Sequence, residues 1–275
     1  MRGRKFSYLL GSAGLVAALV LPASALAQGN DNKASSTRAI GEEYHVEVSG
    51  GFWRPTVSGV FSSEQFGITG TDVNFVSDLG FKTTRFGDVR LVLRPSKKSR
   101  FRFQYTPISY SAESVLPREV VFNGIRYPVN LPVQSGFDWK VYRAGYEFDF
   151  FYTDRGFIGF LIEARYTEMA AHLKSPLNDE ASSAKGPLPA FGLVGRGYPL
   201  KNVSITAEVS GFKLPNLDED YDANYIDVDI YGTVNFTHHF GVQAGWRHMH
   251  TFLKVEKDKG DFTFKGLWFG GALRF

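Results

Sequence analysis

The strongest constraint in this chain is a repeat of period two. In VSITAEVSGF, Val203, Ile205, Ala207 and Val209 take one parity, and Ser204, Thr206, Glu208 and Ser210 take the other. Side chains on one face of a β-strand recur every second residue, whereas a helix repeats at 3.6. The next segment repeats the pattern: Tyr225, Asp227, Asp229, Tyr231, Thr233 and Asn235 alternate with Ile226, Val228, Ile230, Gly232, Val234 and Phe236. Both segments are two-faced strands.

The same rule places strands near 44–53, 84–95, 100–111, 134–151, 156–172, 187–198, 240–256 and 261–275. With the two above, the prediction is about ten strands, within a range of eight to twelve because boundaries read this way drift by about 2 to 4 residues. The connections alternate in length. PSKKS (95–99), YTDRG (152–156), YPLKN (198–202) and FTHHF (236–240) are tight, whereas 54–83, 112–133 and 173–186 are long, and KDKG (257–260) closes the last hairpin on the long side. Short turns at one end, long loops at the other and an even number of antiparallel strands describe an up-and-down barrel in an outer membrane. A soluble sandwich also alternates, but its strands run about 5 to 6 residues, and several here reach the length a tilted strand needs to cross a bilayer.

The start of the chain agrees. Arg2, Arg4 and Lys5 precede an apolar run from Phe6 to Leu21, then Pro22 and Ala25-Leu26-Ala27, the order of a cleaved export signal over residues 1–27. The run is short for a spanning helix and is interrupted by Gly11, Ser12 and Gly14. Residues 28–43 are small and polar, the composition of a flexible periplasmic lead-in, which leaves 44–275 for the barrel. The chain has no cysteine, so neither a disulfide nor a lipid-anchored cysteine is available. A formal charge of +3 in 275 residues gives no case for a nucleic-acid partner.

Followed across the strands, one parity is apolar and aromatic: Val89, Leu91 and Leu93; Phe101, Phe103 and Tyr105; Tyr142, Tyr146, Phe148 and Phe150; Ile158, Phe160 and Ile162. Aromatics gather near the tight turns, as in the girdle of a membrane barrel. This is the lipid face.

The final stretch, GLWFGGALRF, alternates apolar residues up to the last position, through Leu267, Phe269, Leu273 and Phe275. It resembles the C-terminal strand of bacterial outer-membrane β-barrel proteins, and that resemblance implies that Phe269, Leu273 and Phe275 form an assembly signal read by the barrel-assembly machinery. The segments GTDVNFVSDLGF (70–81), RPSKKSRFRFQY (94–105) and VVFNGIRYPV (120–129) look like parts of small outer-membrane barrels in the broad neighbourhood of the OmpA and OmpW types. The expected surroundings are outer-membrane lipid and lipopolysaccharide.

Function must then be sought in the lumen. The inward parity carries Arg90, Arg94, Arg102, Arg143, Arg165, Arg196 and Arg247 against Glu47, Asp88, Glu147, Asp149, Glu163, Glu208, Asp227 and Asp229. A barrel of about eight strands is just filled by side chains, and wide aqueous pores appear at about 16. A near-matched set in so narrow a space predicts Arg–carboxylate pairs that cross-link the strands, hence a structural role or, if a path survives, passage of small solutes past charged rings. Two further readings are a hydrophobic-solute channel with a lateral opening and an outer-membrane lipid hydrolase.

A hydrolase needs a nucleophile or activated water beside a His or carboxylate. Of six histidines, His238 and His239 lie in a tight turn, His45 near the start of the first strand, and His172 near the outer end of the fifth. His248 and His250 share a face with Trp246 and Phe252, which suits headgroup-level side chains rather than a metal or catalytic pair, and neither HExxH nor GxSxG is present. LDEDYDANY (217–225) concentrates Asp218, Glu219, Asp220 and Asp222 but lacks the spacing of a calcium loop. NGIRYP (123–128) reads as an Asn-Gly turn, predicting a hairpin within the long 112–133 loop. No cofactor, metal site or enzymatic chemistry is assigned.

Overall fold

The computed structural model describes residues 38–64, 68–214 and 221–275. Ten long strands close one antiparallel sheet: β1 (Val46–Ser62), β2 (Phe86–Ser96), β3 (Ser99–Val115), β4 (Pro132–Thr153), β5 (Gly156–Lys174), β6 (Asp179–Leu200), β7 (Val203–Lys213), β8 (Tyr221–Asn235), β9 (Phe240–Val255) and β10 (Asp258–Arg274), and the two-residue strand Val73–Asn74 pairs with the end of β1. Each pairs with its sequence neighbour, and β10 returns to β1 from Glu47↔Arg274 to Ser62↔Lys259, which closes the barrel. At the seam the backbones of Val46 and Phe275 exchange hydrogen bonds of 3.0 and 2.8 Å, so the last residue is tied into the sheet.

The ladder fixes the stagger. From Val46 the cross-strand partners run through Leu93, Phe101, Tyr146, Ile162, Phe191, Gly211, Ile226, His250 and Thr263 to Ser58, twelve residues further along β1. A stagger of twelve over ten strands tilts the strands by about 40°.

Several strands outrun their predicted ends. β1 continues from position 53 to Ser62 through Pro55, a residue that usually ends a strand. The β1–β2 ladder stops at Trp53↔Phe86, so Pro55 sits where the edge toward β2 is unpaired and its missing N–H costs no ladder bond. β6 begins at Asp179, not 187, and pairs with β5 up to Lys174↔Asp179; the predicted 173–186 loop is therefore a four-residue turn, Ser175–Asn178, on a taller hairpin. Pro187 and Pro189 lie beyond the last β6–β7 partner pair, Phe191↔Gly211, again on an edge unpaired among the described residues. The predicted hairpin above the barrel is present, with Val120–Phe122 paired to Ile125–Tyr127 around positive-φ Asn123 and Gly124.

The lead-in differs from the flexible segment expected through position 43. Ala39 and Ile40 donate backbone bonds to the Asp154 and Lys201 carbonyls at 3.1 and 2.7 Å, and Glu42 is fully buried. Gly41 makes this entry, at φ +83°; a Cβ there would meet Arg274 Nη1 at 2.7 Å and Asn235 Oδ1 at 2.8 Å. The predicted signal and residues 28–37 lie outside the described residues.

Inside and outside change places along the barrel axis. Nearer the tight turns the outward face is apolar, from Tyr142 to Phe150 on β4 and from Ile158 to Tyr166 on β5, while the lumen is charged. Toward the long loops the outward residues turn polar, with Lys140, Glu168 and Lys185 on neighbouring strands. There the lumen holds a hydrophobic core: Trp53, Val57, Phe61, Tyr110, Phe137, Trp139, Met169, Phe262 and Phe264 from the wall, with Val73, Phe75, Leu79 and Phe81 from the 63–85 loop and Val120, Phe122 and Tyr127 from the hairpin. Lipid outside favours apolar residues outside, and water outside favours apolar residues inside.

Candidate functional site

The charged half of the lumen is built by parity. On each strand the residues between lipid-facing positions point to the axis, and neighbouring strands supply opposite signs. Nine guanidinium groups (Arg90, Arg94, Arg100, Arg102, Arg143, Arg165, Arg196, Arg247 and Arg274) meet nine carboxylates (Glu42, Glu47, Asp88, Glu147, Asp149, Glu163, Glu208, Asp227 and Asp229), all buried or nearly so.

Three tiers can be followed. Next to the tight turns, Glu42 accepts a hydrogen bond from the Tyr198 hydroxyl at 2.9 Å and lies 3.3 Å from Arg100, 3.6 Å from Arg94 and 3.7 Å from Arg196. Arg100 also donates to Glu147 and Asp149, and Arg274 to Glu47 at 2.5 Å. In the middle tier Arg102 bridges Glu147 at 3.0 Å and Glu208 at 2.5 Å, while Arg143 reaches Glu163 at 2.7 Å and Glu208 at 2.9 Å.

The upper tier centres on Asp227. It accepts from Arg247 at 3.1 and 2.8 Å, from Arg165 at 3.2 Å, from Arg143 at 3.3 Å and from the Tyr225 hydroxyl at 3.0 Å. Arg90 spans Asp88 at 3.0 Å and Asp229 at 2.6 Å, and Asp88 also takes Gln104, Thr106 and Arg247. Arg247 and Arg90 then lie against the rings of Trp53 and Trp268, 5.1 and 5.0 Å from their centroids, where charge gives way to aromatics. The free space among these side chains is a cavity of about 30 Å³, room for roughly two waters and too small for a solute.

All fifteen charged residues singled out from sequence point into this lumen, Glu47 and Asp88 among them. Sequence reasoning missed three. Arg100 shares the parity of Arg102 and was readable; Arg274 faces inward opposite Glu47 and was readable from the closed seam. Glu42 precedes any alternating pattern and carried no signal. The histidines stand elsewhere: His248 stacks on outward Trp246 at 5.7 Å, and His250 Nδ1 lies 3.0 Å from Thr263 Oγ1. Asp218, Glu219 and Asp220 of the acidic loop lie outside the described residues.

Above the aromatic core a polar clasp ties the two long loops. Arg118 donates to Asp78 through Nε at 3.2 Å and Nη2 at 2.6 Å, and the Asn74 backbone N–H adds 2.8 Å. Burial alone would raise the Asp78 carboxyl, but the Arg118 fork and the Asn74 amide outweigh it and hold it below the ordinary aspartate range.

No family model and no curated protein matches the chain. Among solved structures, the outer-membrane protease OmpT of Escherichia coli superposes with a TM-score of 0.57, over 87% of this chain and 99% of that one, at 8% identity. The fold is that of an outer-membrane β-barrel. The toluene transporter TodX of Pseudomonas putida, at TM-score 0.36 and 8% identity over 84% of this chain and 90% of its own, is a more distant likeness, as is Ail of Yersinia pestis at 0.37 and 12% identity over 83% and 99%. At such identities likeness is one of fold, and activity must be argued from the barrel's own side chains.

Proposed function

We propose that this barrel is a closed, non-conducting structural protein of the outer membrane whose working surface is its extracellular end. The observation that carries the reading is the double closure of the lumen: an interlocked set of nine arginines and nine carboxylates across the membrane, and an aromatic plug above it. Each tier spans the axis, since Arg143 of β4 reaches Asp227 of β8 and Arg102 of β3 reaches Glu208 of β7. Opening a path would leave buried charges unpaired, at several kcal/mol each. A lateral hydrophobic channel is disfavoured for the same reason, because the charged tiers lie beneath the lipid-facing belt. Proteolysis and lipid hydrolysis are not carried over from the shared fold: the histidine pair faces outward, and the lumenal carboxylates are engaged by arginines.

In this reading residues 1–27 are a cleaved export signal, and Phe269, Leu273 and Phe275, all outward and exposed, form the signal read by the barrel-assembly machinery. Single-channel recording of the refolded full chain in planar bilayers tests the closure. The expected trace is silent up to the voltages at which the bilayer itself fails, and steady unitary openings would overturn the proposal.

A further inference from the structure

One side of the lipid-facing belt is dented. On β4 and β5 the outward pair Ala144↔Ala164 is small where the pairs above and below it, Tyr142↔Tyr166 and Tyr146↔Ile162, are large, and the dent is walled by Phe103 of β3 and by Tyr142 and Tyr166. The groove measures about 470 Å³, within the range of small-molecule sites. Its upper edge is a row of phenols: Tyr105 and Tyr142 stack at 4.9 Å between centroids, and Tyr142 meets Tyr166 at 6.4 Å. Tyrosine at this level marks the boundary between acyl chains and headgroups.

Directly beyond the phenols, the next outward positions are Lys140 on β4, Glu168 on β5 and Lys185 on β6, partners across the ladder. They belong to a wider pattern. Allowing the climb of roughly one residue per strand that the stagger requires, exposed Arg54, Arg85, Lys140, Lys185, Lys213 and Lys265 fall within about two residues of one height around the barrel, just past the apolar belt. Glu168 is the lone carboxylate between the two lysines nearest the groove, and among the described residues none of these six cations is in an ion pair. Exposed cations set next to an apolar groove at the headgroup level complement a molecule with a phosphate at one end and an acyl chain at the other.

We propose that this face of the barrel, over β3 to β6, is a binding site for one phosphorylated lipid of the outer leaflet. Its acyl chain lies in the groove over Ala144 and Ala164, and its phosphate lies between Lys140 and Lys185. The site is independent of whether the lumen conducts, because the side chains assigned to hold the lipid, Ala144, Ala164, Lys140 and Lys185, all stand on the outward parity.

The test uses the full-length barrel in a non-ionic detergent, titrated with a diphosphorylated acyl-glucosamine disaccharide, phosphatidylglycerol or phosphatidylcholine, and read by native mass spectrometry. One adduct is expected to survive with the disaccharide lipid, at least tenfold more than with phosphatidylcholine. K140E/K185E is expected to lose it about tenfold, as is A144F, whose ring fills the groove; K140Q/K185Q should fall between. Heat-modifiable migration on gels confirms that each variant is folded, and a variant that is not folded is replaced by K140Q/K185Q or A164F. Stronger retention of phosphatidylglycerol than of the disaccharide lipid would overturn the assigned outer-leaflet occupant. Equal retention of phosphatidylcholine, or full retention by both the charge and the groove variants, would overturn the site itself.

Discussion

Two side chains show how far single groups hold this barrel. Asp227 accepts from three arginines and a phenol with no solvent to share the burden. Removing one member of a buried ion pair costs roughly 3–5 kcal/mol, mostly as the penalty of the partner left behind. Asp227→Ala should therefore lower the unfolding free energy of the vesicle-refolded barrel, read from its urea transition, by an amount in that range, and Asp227→Asn, which keeps an acceptor, by less; an unchanged Asp227→Ala transition would refute the network's structural role. Asp78 tests the same physics in water. Its pKa is depressed in the folded protein, so the clasp contributes stability above the unfolded value of about 3.9 and loses it as pH falls through the lower folded value. Backbone amides of the 120–127 hairpin should then keep their protection, measured against the intrinsic exchange rate at the same pH, from pH 7 down through the ordinary aspartate range, and lose it as the pH falls further and Asp78 takes up its proton. Asp78→Asn should show the faster exchange already at pH 7.

At the level of elements, the strands were legible where one face met lipid and the other met charge, because the contrast between adjacent residues was then greatest. Arg143 beside Tyr142, and Glu163 beside Ile162, leave no doubt about facing. Legibility failed toward the long loops, where Val141 and Tyr142 or Phe61 and Val60 are apolar on both parities, so period two faded although the strands continued. Pro55, Pro187 and Pro189 compounded the loss, since proline signals an end only when its N–H would have been needed. A local slip also went unseen: the β4–β5 register shifts between Asp149 and Phe151, a bulge that turns both Phe150 and Phe151 outward, 55% and 54% exposed. The closing seam makes its own demand. A Cβ on Gly51 of β1 would sit 2.1 Å from the Phe269 carbonyl oxygen and 2.6 Å from Gly270 Cα, both backbone atoms of β10. Gly51→Val should reduce the fraction of chains reaching the heat-modifiable folded form severalfold, while Gly87→Val, whose Cβ meets nothing within 4 Å, should fold like the parent. Equal yields would show that the seam yields more readily than its geometry implies.

Considered as a whole, the molecule is two solutions to one problem stacked end to end. The belt from Tyr142 to Phe150 covers roughly 20 Å of height at about 3.3 Å per residue and a tilt near 40°, close to the apolar band of about 25 Å that such barrels present. Beyond it the wall continues with polar residues outside and aromatics inside, as a water-soluble barrel does. β5 runs eight residues past Tyr166 to Lys174, which lifts the Ser175–Asn178 turn about 20 Å above the belt on the same rise and tilt. Short turns face the periplasm in this fold, so the long-loop end is expected on the outside of the cell. The chain has no cysteine, so one introduced thiol reports without background. Leu177, 88% exposed at the top of that turn, should accept a membrane-impermeant maleimide on intact cells as Leu177→Cys, to near completion within minutes. His238→Cys, in the exposed tight turn between β8 and β9, should label only after the outer membrane is breached. Labelling of His238→Cys on intact cells with Leu177→Cys protected would invert the orientation, and the phosphorylated-lipid face would then belong to the inner leaflet.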